Sequence, residues 1–275
     1  MISDFVKMNG AGNDFIVIDN RAGLIKDGSK TARRLCDRHF GIGADGLLLL
    51  EASNRANYRM QYYNADGSYG GMCGNGGRCI AYFATRIGAA GESHTFEALK
   101  HIYHAQVSNE FVDLKMKNPR KLRLDISVTM NGKRIKGTFV DTGAPHVVFP
   151  VTALGKGKKL EELDVFKLGR HIRNLAVFKP NGTNVNFIQQ VDSSTIKIRT
   201  YERGVEAETL ACGTGAIAGA IAACEHWGLK PPIQVIPASG KMLKVVFGIS
   251  RRRYQEIVLS GPVELVFRGQ IELAD

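Results

Sequence analysis

The sequence predicts an α/β protein (an α+β roll) of two pseudo-symmetric domains, each a mostly antiparallel sheet wrapped around a central helix, with an active site in the cleft between them. Three observations lead there. First, Cys73-Gly74-Asn75-Gly76-Gly77 is echoed by Cys212-Gly213-Thr214-Gly215, and each copy runs into an Ala-rich, Pro-free apolar stretch that stops at a glycine, Gly88 or Gly228. A helix that is apolar on every side belongs inside a domain. Second, the chain repeats: adding 139 to Tyr62, Cys73, Gly74, Gly76, Ala81 and Ala84 lands on Tyr201, Cys212, Gly213, Gly215, Ala220 and Ala223. Third, the segments around both helices are short β-type runs separated by Gly and Asn turns.

In chain order, strands are expected at residues 5–8 and 15–19, joined by the loop Asn9-Gly10-Ala11-Gly12-Asn13-Asp14, which is too glycine-rich for regular structure. Ser29 can cap a helix running to about His39, with Gly41 as its stop. Residues 47–50 and 58–63 read as strands, and the turn Asn64-Ala65-Asp66-Gly67-Ser68 delivers the chain to Cys73. Three β runs follow, near 95–99, 102–107 and 111–116. The polar stretch 117–121 marks a boundary, giving domains 1–118 plus 263–275 and 119–262. In the second domain Asn131-Gly132 signals a hairpin between runs 122–130 and 134–140. A strand at 147–149, a helix near 160–172 and strands at 187–191 and 195–201 lead to the second cysteine helix. Runs near 233–236, 242–247, 256–259 and 263–273 complete the chain. Two earlier matches are looser: residues 12–17 resemble 143–148, and 44–49 resemble 184–189.

At 275 residues there is ample material for two cores. No apolar run reaches the roughly 18 residues that span a bilayer, and residues 1–8 lack a signal-peptide profile, so a soluble cytoplasmic protein with no membrane partner is expected. The net charge of +11 is spread out rather than interleaved with aromatics, which reads as solvated surface and not as a nucleic-acid platform. The five cysteines have no Cys-x-x-Cys pair, so neither a zinc site nor a disulfide framework is expected. Cys36, Cys79 and Cys224 fall inside helices and read as core or neutral residues.

Cys73 and Cys212 are different, because a core thiol gains nothing from flanking glycines. A thiol at a helix N-terminus ionises easily; its usual pKa of about 8.5 falls to roughly 3.5–7.5 there. Two such acid/base groups facing one cleft suit removal of a proton from one face of a carbon and return of a proton to the other, as in racemisation or epimerisation. Backbone N–H groups at Gly74, Asn75, Gly213 and Thr214, with two helix dipoles, could bind a carboxylate where charge builds up. No cofactor and no metal is then required.

Lys7-Met8 with residues 12–15, the turn 64–68, Met72 to Cys79, Gly182-Thr183-Asn184, and Tyr201-Glu202-Arg203-Gly204 followed by 211–215 together resemble the diaminopimelate epimerases over nearly the whole chain. The resemblance implies a pyridoxal-independent interconversion of LL- and meso-2,6-diaminopimelate for lysine and peptidoglycan synthesis. Cys73 and Cys212 would exchange thiolate and thiol roles with direction. It implies that Asn13, Asn64, Asn184 and Arg203 hold the substrate's polar groups, that Gly74, Asn75, Gly213 and Thr214 lie at the reacting carboxylate, and that His146 and Glu202 tune the cysteines, Glu202 also near the substrate. It implies a homodimer.

Plainer roles exist for several of these. Asn13 and Asn64 can serve turns, His146 can be a satisfied core histidine, and Glu202 with Arg203 can form a surface ion pair. The chain also departs from the family pattern: Ala144 stands where many members have Asn, Gly46 where they have Gln, and one extra residue lies between Gly204 and Thr209. Two other readings remain, a same-fold racemase acting on proline or hydroxyproline and a thiol redox sensor.

Overall fold

Two helices of small residues, one in each half of the chain, are the pieces around which the strands are laid. The structure, a computed structural model, describes residues 2–130, 132–251 and 253–272. Two units are resolved, Met1–Lys115 with Ser260–Asp275 and Met116–Leu259.

The first unit contains β1 (Ile2–Gly10), β2 (Asn13–Asp19), α1 (Gly28–Leu35), β3 (Gly46–Glu51), β4 (Tyr58–Asn64), α2 (Gly74–Arg86), β5 (Ser93–Ala98), β6 (His101–Ser108) and β7 (Phe111–Lys115). From β1 onward each strand pairs with the next, in the order antiparallel, parallel, antiparallel, parallel, antiparallel, antiparallel. The second unit contains β8 (Arg120–Met130), β9 (Lys133–Asp141), β10 (Pro145–Pro150), α3 (Val165–Arg173), β11 (Asn184–Gln190), β12 (Thr195–Glu202), β13 (Ala207–Thr209), α4 (Gly213–Trp227), β14 (Ile233–Ile236), β15 (Leu243–Ser250) and β16 (Arg253–Pro262), whose last residues return to the first unit. β17 (Glu264–Glu272) then closes antiparallel on β1. The ladder β9-β10-β11-β12-β14-β15 repeats the first unit's sequence of antiparallel and parallel pairs.

In each unit the central strands lie between two helices. Ile16, Leu47 and Leu49 cluster with Ala32 and Leu35 of α1, while Phe15 and Leu48 reach Gly76 of α2. Likewise Val147, Phe149, Val185 and Phe187 pack on α3, and Ile188, Ile196 and Ile198 on Gly219 of α4. Strands covered on both faces read as continuous apolar runs, which is why residues 47–50 are four leucines. Residues Gly74–Ala84 of α2 are all buried, as is nearly all of α4 through Ala223.

Several expected boundaries move. α1 starts at Gly28 because Asp27, not Ser29, caps it by accepting from the Lys30 N–H, and it ends at Leu35 with Cys36 as its C-cap. The helix near 160–172 is interrupted: Leu160–Glu162 form a 3-10 turn, and Asp164 caps a separate α3 at Val165. Asn131 and Leu273, included in the expected hairpin turn and last strand, lie outside the described residues. β8 and β9 do pair as a hairpin, Met130 opposite Lys133.

The internal match also shifts. With Phe15 laid on His146, the parallel ladders place Gly46 on Asn184, and the next ladders place Tyr63 on Tyr201. The outer helices agree. A Cβ on Gly28 would meet the Tyr63 ring at 2.3 Å, and one on Gly169 would meet Tyr201 Cβ at 2.3 Å. β3 and β4 therefore recur as β11 and β12 with an offset of 138 (201 − 63), β2 recurs as β10 with 131 (146 − 15), and the cysteines recur with 139 (212 − 73). Tyr62 is not the counterpart of Tyr201, and Ala44 is not that of Asn184. The additional residue lies between β12 and Cys212, where residues 203–206 turn the chain into β13 and bring Thr209 back opposite Thr200.

Candidate active site

Cys73 is the N-cap of α2, and its Sγ accepts from the Gly76 N–H at 3.4 Å. Asn13 Oδ1 lies 3.7 Å from the same sulfur, positioned to accept from the thiol. The Asn13 amide is not free to turn, because its Nδ2 donates to Asp45 Oδ2 at 2.6 Å, and Asp45 in turn accepts from Arg38 at 2.9 Å. Asp14, beside them, pairs with Lys7 at 2.6 Å. Burial works against its charge, but the Lys7 ammonium and neighbouring donors outweigh it and lower the Asp14 pKa. Asp45 is pushed up, first by burial and then by the Asp14 charge. Asn64 closes its turn on Ser68, donating from Nδ2 to Ser68 Oγ at 2.9 Å. Neither Asn13 nor Asn64 has a positive φ, so tolerance of left-handed backbone is not the reason for either.

Asn75 is buried in the first turn of α2, its Oδ1 accepting from Arg78 at 3.0 Å. Gly74 supplies its carbonyl to the same guanidinium at 3.3 Å. At Gly46 a Cβ would stand 2.5 Å from the Tyr62 ring, so that ring fills the place where a longer side chain would sit.

In the second unit Cys212 precedes Gly213 as the N-cap residue of α4, but its side chain does not cap the helix; Sγ lies 3.5 Å from Thr214 Oγ1. Thr214 Oγ1 is 3.0 Å from His146 Nε2. On the other side of the ring Asn186 Nδ2 is 3.1 Å from Nδ1. The Asn186 amide is fixed because its Oδ1 accepts from Thr200 Oγ1 and its Nδ2 also donates to the Val147 carbonyl. Nδ1 is therefore an acceptor and Nε2 carries the hydrogen, which it donates to Thr214, so that the Thr214 hydroxyl points its own hydrogen at Cys212. The 3.4 Å approach of Asn184 Nδ2 to Nε2 then brings two donors together and is the weaker contact. Burial holds His146 neutral, with its pKa down at about 3.

Asn184 accepts the Arg203 backbone N–H at 2.8 Å and donates to the Pro145 carbonyl at 3.1 Å. Arg203 NH1 donates to the Asn181 carbonyl, and Glu202 Oε1 accepts from Thr209 Oγ1 at 2.6 Å across the β12–β13 turn. The first unit thus brings together Asn13, Cys73, Gly74 and Asn75, with Asn64 in the turn before them. The second brings together His146, Asn184, Cys212, Gly213 and Thr214, with Glu202 and Arg203 on the strand end bonded to Asn184.

The chain matches the family model for diaminopimelate epimerase over residues 5–122 and 138–266. It belongs to the diaminopimelate epimerase family. Among curated relatives, a diaminopimelate epimerase of Chlorobaculum tepidum is 44% identical over 97% of this chain and 100% of its own. One of Aquifex aeolicus is 40% identical over 98% and 97%. The fold recurs in solved structures at lower identity. A Bacillus anthracis phenazine biosynthesis protein of the PhzF family has a TM-score of 0.74 at 14% identity, covering 99% of this chain and 100% of its own. A probable proline racemase from Agrobacterium radiobacter has a TM-score of 0.73 at 16%, covering 99% and 93%.

Three residues that hydrogen-bond to these candidate residues were not singled out in the sequence: Asp45, Arg78 and Asn186. Asn186 had a signal, since it lies two residues beyond Asn184 on one strand and so shares its face. Among the described residues no three His, Cys, Asp or Glu side chains gather as a metal site, and no helix is long and apolar enough to cross a membrane.

Proposed function

We infer that this chain interconverts LL- and meso-2,6-diaminopimelate, a step of lysine biosynthesis, by two-base proton transfer between Cys73 and Cys212. The observation that carries the mechanism is the paired geometry: two thiols, one per repeat, each immediately before the first turn of a buried helix. In either direction one cysteine, as thiolate, takes the α-hydrogen as a proton. The other, as thiol, gives its proton to the opposite face of the same carbon. The electron pair left on the carbon is delocalised into the α-carboxylate, where N–H groups of Gly74, Asn75, Gly213 and Thr214 oppose the growing negative charge. Asn13, Asn64, Asn184, Glu202 and Arg203 hold the remaining amino and carboxylate groups, Arg203 being suited to a two-point grip on a carboxylate. His146 acts on Cys212 through Thr214. The two structural units serve as the two epimerase-fold domains.

A cytoplasmic homodimer supplying peptidoglycan as well as lysine completes the reading; no disulfide joins any of the five cysteines, as a thiol mechanism in a reducing compartment requires. Incubation with LL-diaminopimelate in deuterated water is expected to give the meso form with deuterium at the inverted α-carbon. Exchange into proline or hydroxyproline but not diaminopimelate would overturn the assignment. Sedimentation at micromolar concentration is expected to give twice the chain mass.

A further inference from the structure

Asn13 meets the Cys73 sulfur with a side chain that has two chemically opposite ends, and Asp45 decides which end faces the thiol. Asp45 Oδ2 receives the Asn13 Nδ2 at 2.6 Å and the Asp14 backbone N–H at 3.2 Å, while Oδ1 receives Arg38 at 2.9 Å. Burial and the Asp14 charge push its pKa up, yet donors on both oxygens leave it the role of acceptor. A carboxylate accepts and an amide oxygen cannot donate to it. The Asn13 amide is therefore fixed with Nδ2 on Asp45 and Oδ1 toward Cys73, 3.7 Å from the sulfur.

Asp45 is itself clamped. Its backbone N–H donates to Asp14 Oδ1 at 2.9 Å, Asp14 Oδ2 pairs with Lys7 at 2.6 Å, and Lys7 also donates to the Gly43 carbonyl. Arg38 bridges Asp14 and Asp45 from the solvent side. The Asp45 carbonyl accepts the Ala65 N–H, which ties the clamp to the turn that carries Asn64.

The second repeat shows that the fold does not require these charges. When β1, β2 and β3 are laid on β9, β10 and β11 through their ladders, Lys7, Asn13, Asp14 and Asp45 fall on Phe139, Ala144, Pro145 and Thr183. Phe139 is a core residue, and Thr183 gives its hydroxyl hydrogen to the carbonyl of its neighbour Asn184. The same pair of parallel strands starts in register there with no charged side chain at any of these positions. Burying Lys7 against Asp14 carries a desolvation cost, and the exposed Arg38–Asp45 pair adds little stability in return.

We propose that Asp45 is a positioning residue: it holds the Asn13 amide with its oxygen toward Cys73, so that Asn13 meets the reacting groups as an acceptor, of the Cys73 S–H or of a substrate ammonium. Without Asp45 the amide turns freely and presents its N–H there part of the time. Lys7, Asp14 and Arg38 keep the carboxylate in place.

The purpose of the arrangement rests on the epimerase reading, whereas the arrangement itself is tested without substrate. Alkylation of Cys73 by iodoacetamide is followed against pH, peptide by peptide, in the free wild-type chain, Asp45→Ala, Asn13→Ala and the double variant. Asp45→Ala should lower the Cys73 midpoint in either background, because a nearby negative charge is gone. With Asn13 present the fall should be larger by about half a pH unit or more, roughly threefold in thiolate fraction, because the released amide can offer its N–H to the thiolate. Asp45→Asn, which keeps an acceptor oxygen, should show a smaller excess. Equal falls from Asp45→Ala in the two backgrounds would mean that Asp45 acts by charge or by structure alone and would overturn the proposal. In the wild-type chain labelled with isotopic asparagine, the Asn13 amide pair, identified by its loss in Asn13→Ala, should show one proton shifted downfield and slowed in exchange with water. Two ordinary, freely exchanging protons would also overturn it, a result that stands even where Asp45→Ala does not fold. With LL-diaminopimelate, kcat/KM should fall about tenfold in Asp45→Ala, and the double variant should be no slower than Asn13→Ala, because residues of one network do not lose their effects twice. Losses that multiply would count against the proposal as well. If the wild-type chain incorporates no deuterium, the epimerase reading falls, while the alkylation and amide results still decide the role of Asp45.

Discussion

Cys73 and Cys212 occupy the same place in two copies of one folding unit, yet their surroundings differ in kind. Beneath Cys73 lies a buried guanidinium, and beside it Asn13 is locked by a network of four charged side chains, Asp45, Arg38, Asp14 and Lys7. Beside Cys212 the contacts run through Thr214 to an unprotonated His146 and two amides, with the Arg203 charge within reach of the ring. A two-base epimerase needs one thiolate and one thiol at the same moment. Two identical half-sites would titrate together and leave both protonated or both ionised over most of the pH range. The repeat supplies the backbone twice, and a few side chains around the two cysteines differ.

The largest expected effect tests what the two halves share. Cys73→Ser and Cys212→Ser should each lower epimerisation of diaminopimelate on the order of 10³-fold or more, because a hydroxyl is a far poorer acid and base than a thiol near neutral pH. Circular dichroism should stay unchanged. If either variant retained full activity, the comparison of two equivalent catalytic thiols would collapse.

Next comes the Cys212 side. Thr214→Val removes the hydroxyl that links His146 to Cys212 while conserving shape. Losing a hydrogen bond to a thiolate is worth about 1.5–3 kcal/mol, so kcat should fall roughly ten- to a hundredfold. The alkylation midpoint of Cys212 should rise while that of Cys73 stays put. Movement of both midpoints would show that the half-sites are not electrostatically separate.

How much of this could be read from the chain depended on whether a residue's neighbours in sequence are also its neighbours in space. The cysteine helices were legible because Cys-Gly-x-Gly leading into an all-apolar run marks a buried helix with a thiol at its start, and every residue of that signal is local. Arg78 was not, because an arginine in a helix ordinarily marks the solvent face, and its burial follows from six strands packing around α2. The Gly28 and Gly169 contacts that fix the offset of 138 were hidden for a similar reason: each glycine meets a tyrosine more than thirty residues away. Asp27 and Asp164 were overlooked as caps because neighbouring Ser29 and an apolar Leu160 suggested other starts, and only one residue can supply the side chain that takes the third N–H of a helix.

A smaller effect probes the neutrality of His146. It is held at about 3 in the fold by burial, against about 6.5 in an unfolded chain. Between those values the unfolded chain binds a proton that the folded one refuses, so stability is lost as pH falls from about 6.5 toward 3. Each pH unit well inside that window costs about 1.4 kcal/mol. Burial lowers His94 and His226 as well, so a difference is the proper measurement. Between pH 7 and pH 5.5, His146→Asn should lose about 1 kcal/mol less stability in urea than wild type does. Equal losses would mean that His146 can carry a charge in the fold, and the contrast with the Arg78 side would weaken.

The smallest effect separates the two cysteines as structural parts. Cys73 Sγ accepts the Gly76 N–H and so satisfies one of the donors that a helix leaves unpaired at its start; the Cys212 side chain turns to Thr214 instead. At 3.4 Å to sulfur the bond is weaker than an oxygen cap, and Cys73→Ala should cost about 0.5 kcal/mol or a little more, near the low end for a lost cap. Cys212→Ala forms the same alanine N-cap without losing a cap bond, so it should cost less, as read by urea titration at pH 7. The order matters more than the size. If Cys212→Ala were the more destabilising change, the thiol there would be holding α4 in place, and the contrast between a capping Cys73 and a hydroxyl-bonded Cys212 would have to be redrawn.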